Sequence, residues 1–227
     1  MSQLSIIMPV LNEGEGIVAA LDALAELRSL GVEVIVVDGG SRDATIQRAR
    51  TRADSVVIAP RGRAVQMNAG AARARGDVFL FLHSDTRLPR DAEHVLLNGL
   101  QRTGRSWGRF DVKIKGRGLM LPVIGWFMNV RSRLTGIATG DQGIFARRNA
   151  FQSVGGFPPI PLMEDIALSR ALKRLSRPLC LPECVVTSGR RWEEAGVFAT
   201  MFLMWRLRLA YFCGADPKDL ARRYGYE

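Results

Sequence analysis

The chain has 227 residues, 47% of them hydrophobic, enough for one large α/β domain with a sizeable core. Its 32 Lys and Arg outnumber 22 Asp and Glu, and the net charge of +10 admits nucleic acid, an anionic membrane surface or a phosphorylated substrate as partner. No nucleic acid is expected, because arginines interleaved with base-stacking aromatics and a recognition-helix motif are both missing.

Leu4 to Leu11 is an apolar run, followed by Ile17, Leu21, Leu24 and Leu27 at helical spacing. Val32 to Val37 reads as a β-branched strand, Ala44 to Arg52 as a short helix and Ser55 to Ile58 as a third strand. A helix over Val65 to Arg75 and a strand over Val78 to Leu82 continue the alternation. Apolar runs without internal alternation are strands buried on both faces, so the βαβα rhythm predicts a doubly wound, mostly parallel sheet with helices on both faces. From Trp107 the rhythm changes. Phe110 to Ile114 alternates as a half-exposed strand, and Gly116 to Thr135 is a glycine-interrupted helix or loop. A strand over Gly143 to Arg147, a helix over Ile166 to Leu175 and a last strand over Leu179 to Val186 follow. Glu193 to Tyr211 is then one long helix before a charged tail. The expected organisation is one domain over 1–190, with a nucleotide-binding half over 1–103 and an acceptor half over 104–190, and a helical elaboration over 191–227.

Cys180, Cys184 and Cys213 are an odd count without a paired framework and read as reduced and mostly buried. The first residues lack the charged region and cleavage site of a signal peptide, which points to the cytoplasm. Leu119 to Met128 and Val197 to Trp205 fall short of the ~18 apolar residues a membrane span needs. Met201, Leu203, Met204 and Trp205 interleave with Arg206 and Arg208. That pattern fits an interfacial helix making peripheral contact with the inner face of the cell membrane, or a helix packed across the sheet with snorkelling arginines.

In a doubly wound sheet the ligand site lies beyond the carboxyl ends of the strands, where Asp38 and Asp85 fall. Gly14 to Ala19 satisfies G-x-G-x-x-A between a strand and a helix, the fingerprint of an NAD-type Rossmann oxidoreductase. Glu13 and Glu15 would set carboxylates beside the pyrophosphate, which is electrostatically wrong, so a plain glycine-rich turn is the better reading. Arg61, Arg63, Gln66 and Asn68 form a donor-rich segment entering a helix, suited to phosphate or sugar hydroxyls. Asp85 can ligate a divalent cation together with diphosphate oxygens.

The segments Ser5-Ile-Ile-Met-Pro-Val-Leu-Asn-Glu13, Val36-Val-Asp-Gly-Gly-Ser-Arg-Asp-Ala-Thr45 and Leu80-Phe-Leu-His-Ser-Asp-Thr86 resemble the family 2 glycosyltransferases with the GT-A fold. Gly140-Asp-Gln142 and Met163-Glu-Asp-Ile-Ala-Leu-Ser-Arg-Ala-Leu172 extend the likeness, in the right order. It is closest to a small bacterial subgroup named for arsenosugar-type transfer, in which His83 stands for the first of two aspartates. The resemblance implies an inverting transfer from a nucleoside-diphosphate sugar to an acceptor hydroxyl, assisted by Mg2+ or Mn2+ on Asp85. It implies Asp165 as the general base, and Pro9, Asn12, Glu13, Asp38, Arg63, Gln66, Asn68 and Ser84 around the donor. Asp141, Gln142, Glu164, Arg190, Arg191 and Trp192 are expected around the sugar or the acceptor, which is a small molecule or lipid-linked. Relatives often add a late histidine as metal ligand, whereas no histidine follows His94 here, and Arg190 or Arg191 is expected to take over its electrostatic role. A non-catalytic nucleotide-binding module at the membrane surface is the remaining alternative.

Overall fold

The computed structural model describes residues 3–225, apart from the Arg191 side chain. In chain order the elements are β1 (Leu4–Val10), α1 (Ile17–Asp22), α2 (Ala25–Ser29), β2 (Glu33–Asp38), α3 (Thr45–Ala49), β3 (Ser55–Ile58), α4 (Arg63–Arg73) and β4 (Val78–Phe81). There follow α5 (Ala92–Thr103), β5 (Trp107–Lys115), α6 (Leu121–Thr135), a 3-10 turn (Gly140–Gln142), β6 (Phe145–Arg147) and α7 (Arg148–Ser153). The last elements are α8 (Glu164–Leu172), β7 (Leu179–Ser188), α9 (Arg190–Ala195), α10 (Val197–Phe212) and α11 (Pro217–Tyr224).

The seven strands form one sheet in the order β3-β2-β1-β4-β6-β5-β7. β6 alone runs antiparallel, between β4 and β5; the other pairings are parallel. The apolar runs are explained by two cores, one on each face. From β1, Leu4, Ile6, Met8 and Val10 join the core under α1 and α5, while Ile7 joins the one under α4 and α7. Alternation of side chains across a strand sends successive residues to opposite cores, so a strand covered on both sides must be apolar throughout. α4 sits low on the sheet because of Gly70: a Cβ there would lie 2.5 Å from Ile7 Cγ2 and 2.8 Å from Val37 Cγ2.

The architecture is the α/β fold expected, with differences of detail. The helical pattern from Ile17 to Leu27 breaks into α1 and α2, and the long C-terminal helix breaks at Gly196, whose φ of +81° suits glycine. Helix α5 lies in a stretch left unassigned by the sequence reading; Ala92, Leu96 and Leu100 bury one face at four-residue spacing. The charged tail is helix α11, whose signal is Asp216-Pro217: Asp216 Oδ1 accepts the Lys218 N–H at 2.9 Å, and Pro217 fills the first turn. The cysteines are unpaired, but Cys213 is exposed and Cys180 and Cys184 are half-buried, contrary to the buried positions expected. Among the described residues no helix is long and apolar enough to cross a membrane.

Candidate active site

The carboxyl ends of β1, β4 and β7 open into a cleft of about 500 Å³, which Asp38 at the end of β2 does not line. Pro9, Glu13, Arg61, Arg63, Ser84 and Asp85 line one part of it, and Asp141, Thr187, Ser188, Arg190, Trp192 and Tyr224 the rest. A smaller recess of about 90 Å³ adjoins it, sharing Arg63, His83, Asp141 and Tyr224 and adding Glu164, Asp165, Met204 and Arg208.

The loops after β1 and β2 are tied to each other. Asn12 N–H donates to Ser41 Oγ at 2.8 Å, and Arg42 N–H to Asn12 Oδ1 at 2.9 Å. Glu13 N–H donates to Thr45 Oγ1 at 2.8 Å, and Gly14 N–H to Asp43 Oδ2 at 2.9 Å. Asn12 adopts φ +53°, a left-handed conformation that asparagine tolerates, and its side chain serves the loop and not the cleft wall. Asp43 against Gly14 also removes the dinucleotide reading, since a carboxylate stands where the fingerprint would present an N–H to pyrophosphate.

Asp38 ends β2 fully buried. Its Oδ2 accepts the Gly40 and Ser41 N–H groups, each at 2.8 Å, while its Oδ1 is buried without a hydrogen-bond partner. A lone acceptor in the interior is unusual, because desolvation is then uncompensated. Gln66 is a staple: its Nε2 donates to Val10 O and Val37 O, both at 2.8 Å, joining the ends of β1 and β2. Its amide N–H groups are thereby spent, so Gln66 shapes the cleft and does not present donors to a ligand. Asn68 departs further from expectation. It points to the Phe157 backbone, donating to Phe157 O at 2.7 Å and accepting from Phe157 N at 2.9 Å, and lines neither cavity. Its amide ties α4 to the segment before α8.

Glu13, half-way into the cleft wall, has its carboxyl pushed up by burial, with Arg190 opposing and Asp85 and Asp43 adding to the rise. Asp85 is exposed just beyond β4, accepting from Thr86 Oγ1 at 3.2 Å. No three His, Cys, Asp or Glu side chains gather round one point among the described residues. His83 Nδ1 lies 3.3 Å from Asp141 Oδ1, and its ring rests on Gly140, where a Cβ would come within 2.7 Å. Burial would raise the Asp141 carboxyl, but the His83 ring, Arg63 and Arg208 outweigh it and hold it below the usual range. Gln142 is a second correction. It is fully buried and turned away from both cavities, taking the Thr139 N–H on its Oε1 at 3.2 Å and donating to Asn129 at 3.3 Å. It caps the turn that sets Asp141 in place.

Glu164 and Asp165 begin α8 after Met163, whose φ is +70°. The two oxygens of Asp165 accept N–H groups of Gly140 at 3.0 Å and Ile166 at 2.7 Å. Glu164 is buried, and desolvation with the adjacent Asp165 charge pushes its carboxyl up to about 7 against the pull of Arg63 and His83. Arg208 of α10, expected on an interfacial or sheet-packed helix, lines the recess together with Tyr224 of α11, and Arg131 of α6 lies within electrostatic reach of Arg208 and Asp165. Arg131 Nε and Nη2 are buried without partners; desolvation, with Arg208 and Arg109 nearby and Asp165 opposing, lowers its pKa to about 10. Arg190 is exposed at the cleft and Trp192 packs against Ile114, Leu121 and Ile124, while the Arg191 side chain lies outside the described residues.

Among solved structures, the chain is similar to the mannosyltransferase PcManGT from Pyrobaculum calidifontis in complex with GDP-Man and Mn2+. The TM-score is 0.67 at 21% identity, covering 92% of this chain and 61% of that one. It is also similar to TarS 1-349 of S. aureus in complex with UDP-GlcNAc, with TM-score 0.66, 19% identity and coverage of 83% and 58%. Glucosyl-3-phosphoglycerate synthase from Mycobacterium tuberculosis, in complex with Mg2+ and UDP, gives TM-score 0.64, 22% identity and coverage of 100% and 80%. The chain thus spans about three fifths of the TarS and PcManGT chains, at 58% and 61%. No curated protein matches it. The family profile described as glycosyl transferase family 2 matches residues 5–155, more than half of the sequence, and the chain belongs to that family.

Proposed function

We propose that the protein transfers a sugar from a nucleoside-diphosphate sugar to an acceptor hydroxyl with inversion at the anomeric carbon. The observation that carries this reading is the junction of the two cavities: a cleft walled by Glu13, Arg63, Asp85 and Arg190 meets a recess holding Glu164 and Asp165 across shared Arg63, His83 and Asp141. About 500 Å³ suits a ligand of nucleotide-sugar size. Neighbours of this fold are solved with UDP-GlcNAc, GDP-Man and Mn2+, or UDP and Mg2+. The nucleotide side is assigned to residues 1–103 and the acceptor side to 104–190, with residues 191–227 closing both through Arg208 and Tyr224.

In this reading Pro9 and Glu13 form the cleft wall on the nucleotide side, while Asp38, expected against the donor, is buried without lining either cavity and holds the loop after β2 through the Gly40 and Ser41 N–H groups. Arg61, Arg63 and Arg190 take the diphosphate, for which guanidinium groups are suited. Asp85, exposed at the cleft, is the residue that would hold Mg2+ or Mn2+ together with the donor's phosphates. Such an ion offsets the charge that builds on the departing diphosphate. Asp165, fixed by two backbone N–H groups, receives the acceptor's proton. The acceptor oxygen forms its bond to the anomeric carbon as the bond to the β-phosphate oxygen breaks on the opposite face, and the nucleoside diphosphate leaves. Asp141 and Trp192 flank the sugar.

Calorimetric titration with UDP, GDP and their sugar conjugates, with and without Mg2+ or Mn2+, tests the proposal. Binding of one nucleoside diphosphate that strengthens with the metal, and loses that gain in Asp85→Asn, is expected. Binding of a nicotinamide dinucleotide, or of no nucleotide at all, would refute it.

A further inference from the structure

Helix α10 carries two opposed faces. Thr200, Met204, Leu207 and Tyr211 turn inward, where Leu207 meets Ile166 and Leu220 in a small core and Met204 lines the recess. Phe198, Phe202, Trp205, Leu209 and Phe212 form the other face and are 54–68% exposed. At 3.6 residues per turn these five fall within about 80° of arc, so they make one continuous stripe. α6 adds Trp126 and Phe127, both 59% exposed, with Leu119 and Leu134 more open still at 94% and 82%. The two helices meet at one end, where Val197 of α10 packs on Leu121 and Ile124 of α6 and Ile114 of β5. Scattered exposed apolar residues are ordinary, but a contiguous stripe of large aromatics marks an interaction surface.

Charge identifies the occupant. Neither α6 nor α10 contains an Asp or Glu; of their arginines Arg206 is exposed, Arg133 pairs with Asp111 at 2.6 Å, Arg131 is largely buried and Arg208 lines the recess. The nearest preceding acids, Glu193 and Glu194, sit in α9 before the break at Gly196. In a symmetric pairing of two copies each helix would face its own kind, arginine against arginine with no carboxylate between them. A sheet of anionic headgroups over an acyl interior complements both features at once: aromatics and leucines enter the interface and Arg206 meets phosphate. We infer that α10, together with α6, docks the protein on an anionic lipid bilayer as a peripheral contact. The stripe lies on the face of α10 opposite Met204, which lines the recess, and the inference stands whatever donor the cleft binds.

Sedimentation of the whole protein with vesicles tests it, using phosphatidylcholine alone and phosphatidylcholine mixed with phosphatidylglycerol. The protein is expected to sediment with the mixed vesicles, to bind phosphatidylcholine far more weakly and to be released by salt. Phe202→Ser with Trp205→Ser removes two exposed rings and should weaken vesicle binding by at least about tenfold, with an unchanged melting temperature. Wild-type protein that stays in the supernatant, equal binding to both vesicles, or a double variant that binds as well as wild type would each overturn the inference. So would a wild-type dimer that the double variant breaks and that ignores vesicles, which would assign the stripe to a second copy.

Discussion

The nucleotide side of the cleft is held by short-range pairings, and the acceptor side by buried charge. The loops after β1 and β2 interlock through Asn12, Ser41, Asp43 and Thr45, and Gln66 joins the two strand ends beneath them. Across His83 and Asp141, by contrast, Glu164, Asp165, Arg131 and Arg208 come from α6, α8 and α10 with few direct pairings. The first arrangement fixes backbone geometry, and its one carboxylate, Asp43, is held below the usual range by the Thr45 hydroxyl. The second leaves charges poised against one another in a poorly hydrated recess, where small changes in protonation have large effects. A binding wall and a reacting centre call for these two kinds of construction.

The sharpest way to break the comparison is Asp165→Asn. It keeps size but replaces one of the two oxygens that accept the Gly140 and Ile166 N–H groups by an NH2 and removes the proton acceptor, so turnover should fall by ~10²–10⁴-fold, the usual worth of a general base, while affinity for the nucleoside diphosphate stays as in wild type. Single-turnover kinetics beside calorimetry separate the two. A parallel loss of affinity would mean that the recess also builds the donor wall.

Gln66→Ala attacks the other side. It removes the Gln66 donor from the buried Val37 carbonyl, while the Val10 carbonyl keeps the Gly39 N–H at 2.9 Å, at a cost of about 1–3 kcal/mol in folding stability by the penalty for an unsatisfied buried group. Urea denaturation reads the loss, and donor affinity should weaken with it as the loops relax. Wild-type stability would show that water replaces the amide and that the nucleotide side is less rigid than its hydrogen bonds indicate.

The same contrast explains what could be read in advance. Strands β1, β2 and β4 and the clusters at their ends follow from apolar runs and local motifs, so Asp38, Asp85 and Glu164-Asp165 were found at element ends. Whether a polar side chain faces a cleft or the backbone beside it has no such signal. Gln66, Asn68 and Gln142 have the composition of ligand groups, yet each is consumed by main-chain partners. Arg131 and Arg208 reach the recess from helices that read as apolar, and Tyr224 belongs to a tail that read as merely charged. Long-range convergence, not residue type, makes them part of the site.

Glu164→Gln sharpens the acceptor side most finely. Folding shifts this carboxyl from 4.5 to about 7. Between those values the folded protein keeps a proton that the unfolded chain has released, so the contribution of Glu164 is complete below the lower value and is lost as pH rises through the upper one. At about 1.4 kcal/mol per pH unit, that displacement sets a ceiling of ~3 kcal/mol. Glutamine is always neutral and has no such slope. The variant should match wild type near pH 5 and melt higher at pH 8, by up to about 3 kcal/mol, the pull of Arg63 and His83 on the charged form being already contained in the value of about 7. Asp141 works in the opposite sense: its carboxyl is held low, so its contribution is present at neutral pH and is lost on acidification. Parallel melting curves for Glu164→Gln and wild type from pH 5 to pH 8 would show that the recess does not tune Glu164. A gap that opens with pH would establish that a neutral Glu164 stabilises the fold.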